Sequence, residues 1–292
     1  MSSYKRERNK KNKIGMDRES VIEKLAAFVN RKGSQEKAAK SLKGVSSASI
    51  SLILSGRGGE VRERMWQNIA TQLEVSNEWQ KADTVQYRQL SRLLSDAQED
   101  HLVMSVVAPA GTGKTFTSKS YEENKREVYR LACSEFWSKN DFIDELLRSL
   151  GENGLGYSKK ERINKAIEAI RRKQQPLLVF DEFDKLNDNV WFFFITLYNE
   201  LEGHCGMVLL STDSIEVRIK RGLRLNKRGY NEFWSRLGRR CVKLSAVDYE
   251  DIKAVCEANG ESRASVIEDI VRDSEGDLRR VTRRLYGTKK AA

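Results

Sequence analysis

One octapeptide limits what this chain can fold into more than any other stretch. Ala108-Pro109-Ala110-Gly111-Thr112-Gly113-Lys114-Thr115 follows the apolar run at 102–107 and opens a helix. A strand that turns through glycines into a helix offers a nest of backbone N–H groups to an anion. Gly111 and Gly113 let those groups curl around phosphate oxygens with no Cβ in the way, and the helix N-terminus adds the positive end of its dipole. Lys114 places a point charge at the β- and γ-phosphates of a nucleotide, and the Thr115 hydroxyl completes a Mg²⁺ shell that keeps several waters. The usual pattern begins with glycine; Ala108, also small, is a mild departure. The expected ligands are ATP and Mg²⁺, held by Ala108, Gly111, Thr112, Gly113, Lys114 and Thr115.

A second half of the site lies at Leu177-Leu178-Val179-Phe180-Asp181-Glu182, four apolar residues running into two carboxylates. In open α/β sheets ligands bind at the carboxyl ends of the strands. Asp181 is expected to hold Mg²⁺ with Thr115, and Glu182 to polarise the attacking water. Further strands are expected at 127–132 and at the all-apolar 207–210, with 241–244 as a candidate fifth, alternating with amphipathic helices around 141–150, 161–173 and 190–201. Strands alternating with helices imply a parallel, doubly wound sheet. Residues 246–287 read as helical again and make a C-terminal lid.

The 292 residues carry a formal net charge of +11, which favours polyanionic partners, most simply nucleic acid. The four cysteines show no C-x-x-C spacing, so a zinc site or disulfide framework is not expected. No apolar run is long enough to span a bilayer, and the expected location is cytoplasmic. Residues 1–16 form a basic tail, expected to be disordered, that either adds phosphate contacts or only keeps the chain soluble.

Residues 17–75 read as a small all-α domain. Val21, Ile22, Leu25 and Phe28 recur at helical spacing, and Gly33 breaks that helix. Ser34 caps a second helix, a turn follows at Lys43-Gly44-Val45, and Ser46 or Ser47 caps a third that ends at Gly56. The segment SQEKAAKSLKGVSSASISLILSGR resembles the helix-turn-helix of phage-repressor-like proteins, whose second helix enters the major groove through its N-terminal residues. That resemblance nominates Ser46, Ser47, Ser49, Lys43 and Arg57 for DNA contact. The competing reading is a helical hairpin used for protein contact.

The octapeptide and the acid pair together resemble the AAA+ superfamily of P-loop NTPases, and the resemblance implies further roles. Thr212, in Ser211-Thr212-Asp213 after the 207–210 strand, takes the place of the sensor 1 residue that orients water, with Asp213 second. Phe233-Trp234-Ser235-Arg236-Leu237-Gly238-Arg239-Arg240 is similar to the arginine-finger segment. Arg236 would there reach a neighbouring subunit's γ-phosphate, with Arg239 and Arg240 as alternatives or as DNA contacts. Gly276-Asp277-Leu278-Arg279 resembles sensor 2, with Arg279 touching the nucleotide in cis. Between sensor 1 and the finger run Arg218, Lys220, Arg221, Arg224, Lys227 and Arg228 with no acid among them. Gly222 and Gly229 make the stretch loop-like, and it is a natural phosphate track, so Arg221, Arg224, Lys227 and Arg228 join the DNA-binding set.

The order of parts is a tail at 1–16, helix-turn-helix domain at 17–75, linker at 76–84, AAA+ core at 85–245 and helical lid at 246–292. That layout resembles the phage Mu transposition protein B family of target-DNA activators. APAGTGKT, VFDEFDKL, WSRLGRR, GDLR and Thr84-Val85 carry the likeness. The resemblance implies ATP-dependent assembly of a homo-oligomer or filament on double-stranded DNA and delivery of that DNA to a transposase, as part of a mobile element. Two rivals are a helicase-loader-like AAA+ ATPase and a sequence-specific regulator that uses ATP as a switch.

Overall fold

The computed structural model describes residues 18–73 and 79–291, and they fall into two compact units divided after residue 78. The tail at 1–16 and residues 76–78 of the expected linker lie outside the described residues.

The first unit packs α1 (Arg18–Lys32), α2 (Gln35–Ser41), α3 (Ser47–Leu54) and α4 (Glu63–Gln72) around Leu25, Ile50, Ile53, Trp66 and Ile69. The capping serines act as their chemistry dictates. Ser34 Oγ accepts the Lys37 N–H at 3.1 Å, and Ser46 Oγ accepts the Ser49 N–H at 3.1 Å. Helix α4 extends the unit beyond the expected third helix. Its signal is present in the sequence: Met65, Trp66, Ile69, Ala70 and Leu73 recur at helical spacing. Its side chains also clamp the turn before α3. Asn68 Nδ2 and Gln72 Nε2 donate to the Lys43 carbonyl at 3.0 and 2.9 Å, and Gln72 Oε1 accepts the Lys43 N–H at 2.8 Å.

In the second unit, α5 (Val85–Glu99) leads into a five-stranded sheet of order β2-β3-β4-β1-β5 in which every pairing is parallel. The strands are β1 (Val103–Val107), β2 (Val128–Ala132), β3 (Leu177–Asp181), β4 (Gly206–Ser211) and β5 (Cys241–Lys243). Both faces of the central strands are buried, hence their nearly unbroken apolar runs. Val106, Val179 and Val208 pack with α5 and α6 (Lys114–Asn124) on one face. Leu131, Phe180 and Leu209 pack on the other, with α7 (Lys139–Leu150), α8 (Lys159–Arg171), α9 (Asp188–Trp191), α10 (Phe193–Leu201), α11 (Ser214–Arg224) and α12 (Tyr230–Arg236). The chain leaves β1 toward one edge over the α6 face and returns over the other, as right-handed crossovers require. The outgoing connections of neighbouring β1 and β4 therefore diverge at their carboxyl ends, the place where open α/β sheets bind ligands.

Two expectations change. The helix over 190–201 is two helices that meet at Phe192. The basic stretch 218–228 is not a loop through most of its length, because Ile215, Ile219 and Gly222 share the buried face of α11. Gly222 is there for packing: the Tyr230 ring occupies the space that a Cβ would take.

The lid, α13 (Tyr249–Ala258), α14 (Ala264–Ser274) and α15 (Leu278–Ala291), buries Ile252, Ile267, Ile270, Val281 and Leu285, with Trp79 and Ala82 packed against them. Residues 79–84 have no regular secondary structure, yet the lid holds them: the Asn259 side chain exchanges hydrogen bonds with the Gln80 backbone at 2.9 and 3.1 Å. Asp251 of α13 accepts the Val85 N–H at 2.8 Å and Gln86 Nε2 at 2.8 Å, fastening the lid to the first turn of α5.

Candidate functional site

The octapeptide leaves the carboxyl end of β1 and enters α6 at Lys114. Gly111 and Gly113 take φ of 82° and 89°, a region closed to most side chains. Thr112 is buried, and its hydroxyl donates to the Pro109 carbonyl at 3.0 Å. Lys114 Nζ donates to the carbonyls of Ala108 (2.6 Å) and Pro109 (2.8 Å). Burial pulls the Lys114 ammonium below the ordinary lysine range, and the charges of Asp181 and Asp184 oppose that pull. The lysine thus shares its electrostatic surroundings with the carboxylates at the end of β3.

The lid reaches the same loop. The Leu278 N–H donates to the Gly111 carbonyl at 2.9 Å, and the Asp277 carboxylate fills the space that a Cβ on residue 111 would need. Asp277 Oδ1 also accepts the Arg279 N–H at 2.7 Å at the start of α15. Arg279 is exposed, and its charge further depresses the Lys114 ammonium.

Asp181 is buried at the end of β3, with Oδ2 accepting Arg130 Nη1 at 3.1 Å. Its Oδ1 is buried with no hydrogen-bond partner. A buried carboxylate oxygen without a donor fits a cation. Together with the Thr115 hydroxyl and the glycine cradle, it makes these residues suitable to hold Mg²⁺ and a triphosphate. Glu182 sits at φ 58°, left-handed backbone that a non-glycine residue adopts at a cost of about 1–3 kcal/mol. Its Oε2 accepts Lys185 Nζ at 2.6 Å, and that bond raises the lysine's pKa.

Sequence reading missed Asp184. Its Oδ2 accepts Thr212 Oγ1 at 2.6 Å, Ser214 Oγ at 2.7 Å and the Thr212 N–H at 3.3 Å. Thr212 is thus the half-buried partner of the acid segment, while Asp213 is exposed. The spacing Asp181-x-x-Asp184 was visible, but nothing local marked the second aspartate as the partner of a residue on β4's outgoing turn. Arg130 was missed too, because a lone arginine on a strand carries no motif.

The basic residues divide into held and open ones. Arg218 is held: its guanidinium donates to the Leu186 carbonyl at 2.7 Å, the Asp184 carbonyl at 3.2 Å and Asp188 Oδ1 at 2.5 Å, and lies 4.3 Å from the Trp191 ring centroid. Arg236 is also partnered within its own chain, 3.1 Å from both Asn199 Oδ1 and Glu232 Oε1. Arg239 and Arg240 are exposed. Arg221 and Arg224 lie on the exposed side of α11, and Lys227 and Arg228 are exposed in the turn after it.

In the first unit Lys43, Ser46, Ser47 and Arg57 are exposed and Ser49 is half-buried. The Ser46 and Ser49 hydroxyls lie 2.9 Å apart at the N-terminus of α3, where the Ser46 hydroxyl is committed to the cap. Ser47 is the exposed hydroxyl free of that arrangement.

Residues 97–219 match the AAA domain family. The match runs from the end of α5 through the octapeptide and the acid pair into α11, and supports an ATPase domain of the AAA type on a P-loop NTPase α/β fold. No curated protein matches the chain. Among the described residues no helix is long and apolar enough to cross a membrane.

Proposed function

We propose that this chain is an ATP-dependent, DNA-binding ATPase that assembles on target DNA and directs a DNA transposase. The observation that carries the nucleotide half is the convergence of the octapeptide, Asp181-Glu182, Asp184-Thr212 and the Asp277-Leu278 turn at the carboxyl ends of β1, β3 and β4. The DNA half is supported by the capped α2–α3 pair and by the open basic side of α11. The transposase is the partner that the resemblance to target-DNA activators implies.

Bound Mg²⁺ supplies charge that neutralises the triphosphate oxygens. Lys114 gives up its two backbone carbonyls for the β- and γ-phosphates, and Thr115 and Asp181 hold the cation. Glu182, freed from Lys185, takes up on its carboxylate the proton of the attacking water, which Thr212 orients while Asp184 fixes the hydroxyl. Arg279 contacts the nucleotide from the lid. Arg236, released from Glu232, or its exposed neighbours Arg239 and Arg240, reach the phosphates bound to the next protomer, so nucleotide state governs assembly. Arg221, Arg224, Lys227 and Arg228 track DNA phosphates in the assembly.

Electron microscopy with random-sequence duplex DNA tests the reading. Filaments are expected with a slowly hydrolysed ATP analogue and not without nucleotide; their absence under both conditions overturns it. A second reading, a regulator that binds one operator, is favoured by the side-chain clamp that Asn68 and Gln72 place on the turn before α3. Footprinting separates the two: one protected site whatever the nucleotide supports the regulator, and nucleotide-dependent protection of random DNA supports the activator.

A further inference from the structure

Arg130 stands between the two halves of the nucleotide site. It lies on β2, opposite Val179 of β3, on the sheet face covered by α6. Its side chain is 14% exposed, and that of Asp181 is 3% exposed. One end of the guanidinium donates to Asp181 Oδ2, and Nε lies 3.9 Å from Glu122 Oε2 on α6, the helix that carries Lys114 and Thr115. A buried cation beside a carboxylate adds little net stability, because both ions are stripped of water. What the geometry does supply is direction. With Oδ2 engaged, the Asp181 carboxylate has one remaining oxygen, Oδ1, and that is the atom left buried without a donor.

We infer that Arg130 is a positioning residue for Mg²⁺: by holding Asp181 Oδ2 it fixes the carboxylate so that Oδ1 faces the cation shared with Thr115. The inference rests on the ATPase reading and adds to it a residue outside the octapeptide and the acid pair. Groups that orient a metal-binding carboxylate from behind act on metal affinity more than on the ligands that bind elsewhere in the site. Losing Arg130 therefore weakens the Mg²⁺-dependent part of nucleotide binding and spares the Mg²⁺-free part, which Lys114 and the backbone cradle provide.

The test titrates a fluorescent, slowly hydrolysed ATP analogue into the full chain, once in EDTA and once across a series of Mg²⁺ concentrations. In Arg130→Lys, which keeps the buried charge and so protects the fold, the Mg²⁺ concentration for half-maximal binding is expected to rise about tenfold with the EDTA affinity unchanged. Arg130→Met is expected to shift it further. In an Asp181→Asn background Arg130→Lys should add nothing, since both changes act through one carboxylate. An unchanged Mg²⁺ requirement in Arg130→Lys overturns the inference. Equal loss of affinity in EDTA and in Mg²⁺, or an additive effect on Asp181→Asn, reduces Arg130 to a packing role and overturns it as well. If the unaltered chain binds the analogue with no dependence on Mg²⁺, the ATPase reading fails rather than the role of Arg130 within it.

Discussion

The octapeptide 108–115 and the basic stretch 218–228 both looked, as sequence, like places where phosphate binds. In the first, the groups that would meet phosphate are backbone amides, whose directions follow from glycine φ angles and from the entry into α6. In the second, the signal was side-chain charge, and charge alone does not say what it faces. Arg218 spends its guanidinium on Asp188, two carbonyls and the Trp191 ring, while Arg221 and Arg224, three and six residues on, face solvent. A run of cations is a mixture of structural and open groups, sorted by helical phase.

The comparison breaks most readily at Lys114. Lys114→Ala is expected to weaken ATP binding at least about 100-fold, read by nucleotide fluorescence, and to abolish ATP-dependent filaments with it. Filaments that persist would remove this loop from the mechanism. Glu182→Gln should slow phosphate release about 100-fold while nucleotide affinity holds, leaving long-lived ATP-bound assemblies; unchanged turnover would exclude Glu182 as the base.

Within the basic stretch the two classes should respond in opposite ways. Arg218→Ala is expected to cost about 2 kcal/mol of stability in denaturant unfolding, because it removes the donor of the Leu186 and Asp184 carbonyls and the packing on the Trp191 ring, while Asp188 keeps its bond from the Tyr230 hydroxyl. Its DNA binding per folded molecule should not change. The double variant Arg221→Ala, Arg224→Ala should leave stability within about 0.5 kcal/mol and lower the slope of log affinity against log salt by about 2. A destabilised double variant, or an unchanged salt slope, would erase the distinction.

The smallest expected effect is on pH. Only the protonated Lys114 attracts phosphate, and burial lowers its pKa. Nucleotide binding should therefore weaken as pH rises, with the decline beginning below the range of a free lysine. Binding that is flat up to the ordinary lysine pKa would show that the phosphate contact is made by the backbone alone.

The central strands β3 and β4 are legible because parallel strands buried on both faces must be apolar, and each of the five strands lies within one residue of its expected span. The nucleotide loop was legible because its glycines and its strand–helix context leave few alternatives. Asp184 and Arg130 were not, because their meaning comes from strands adjacent in the sheet and distant in the chain: Thr212 follows β4, and Asp181 ends β3. Gly222 misled for a related reason. A glycine reads as a breaker until the aromatic ring that needs its missing Cβ is known. Helix α4 has a clear apolar period after Gly56, in Met65, Trp66, Ile69, Ala70 and Leu73, so this element too is legible in the sequence.

The hydrogen bond from Leu278 to the Gly111 carbonyl has a consequence for the phosphate cradle itself. A trans peptide is rigid, and its C=O and N–H point in opposite directions. Anchoring the oxygen of residue 111 to the first residue of α15 therefore fixes where the N–H of Thr112 aims, on the far side of the same plane. The last helix of the chain sets the angle of one amide in the nest, so a tilt of that helix of a few degrees is felt as a rotated donor.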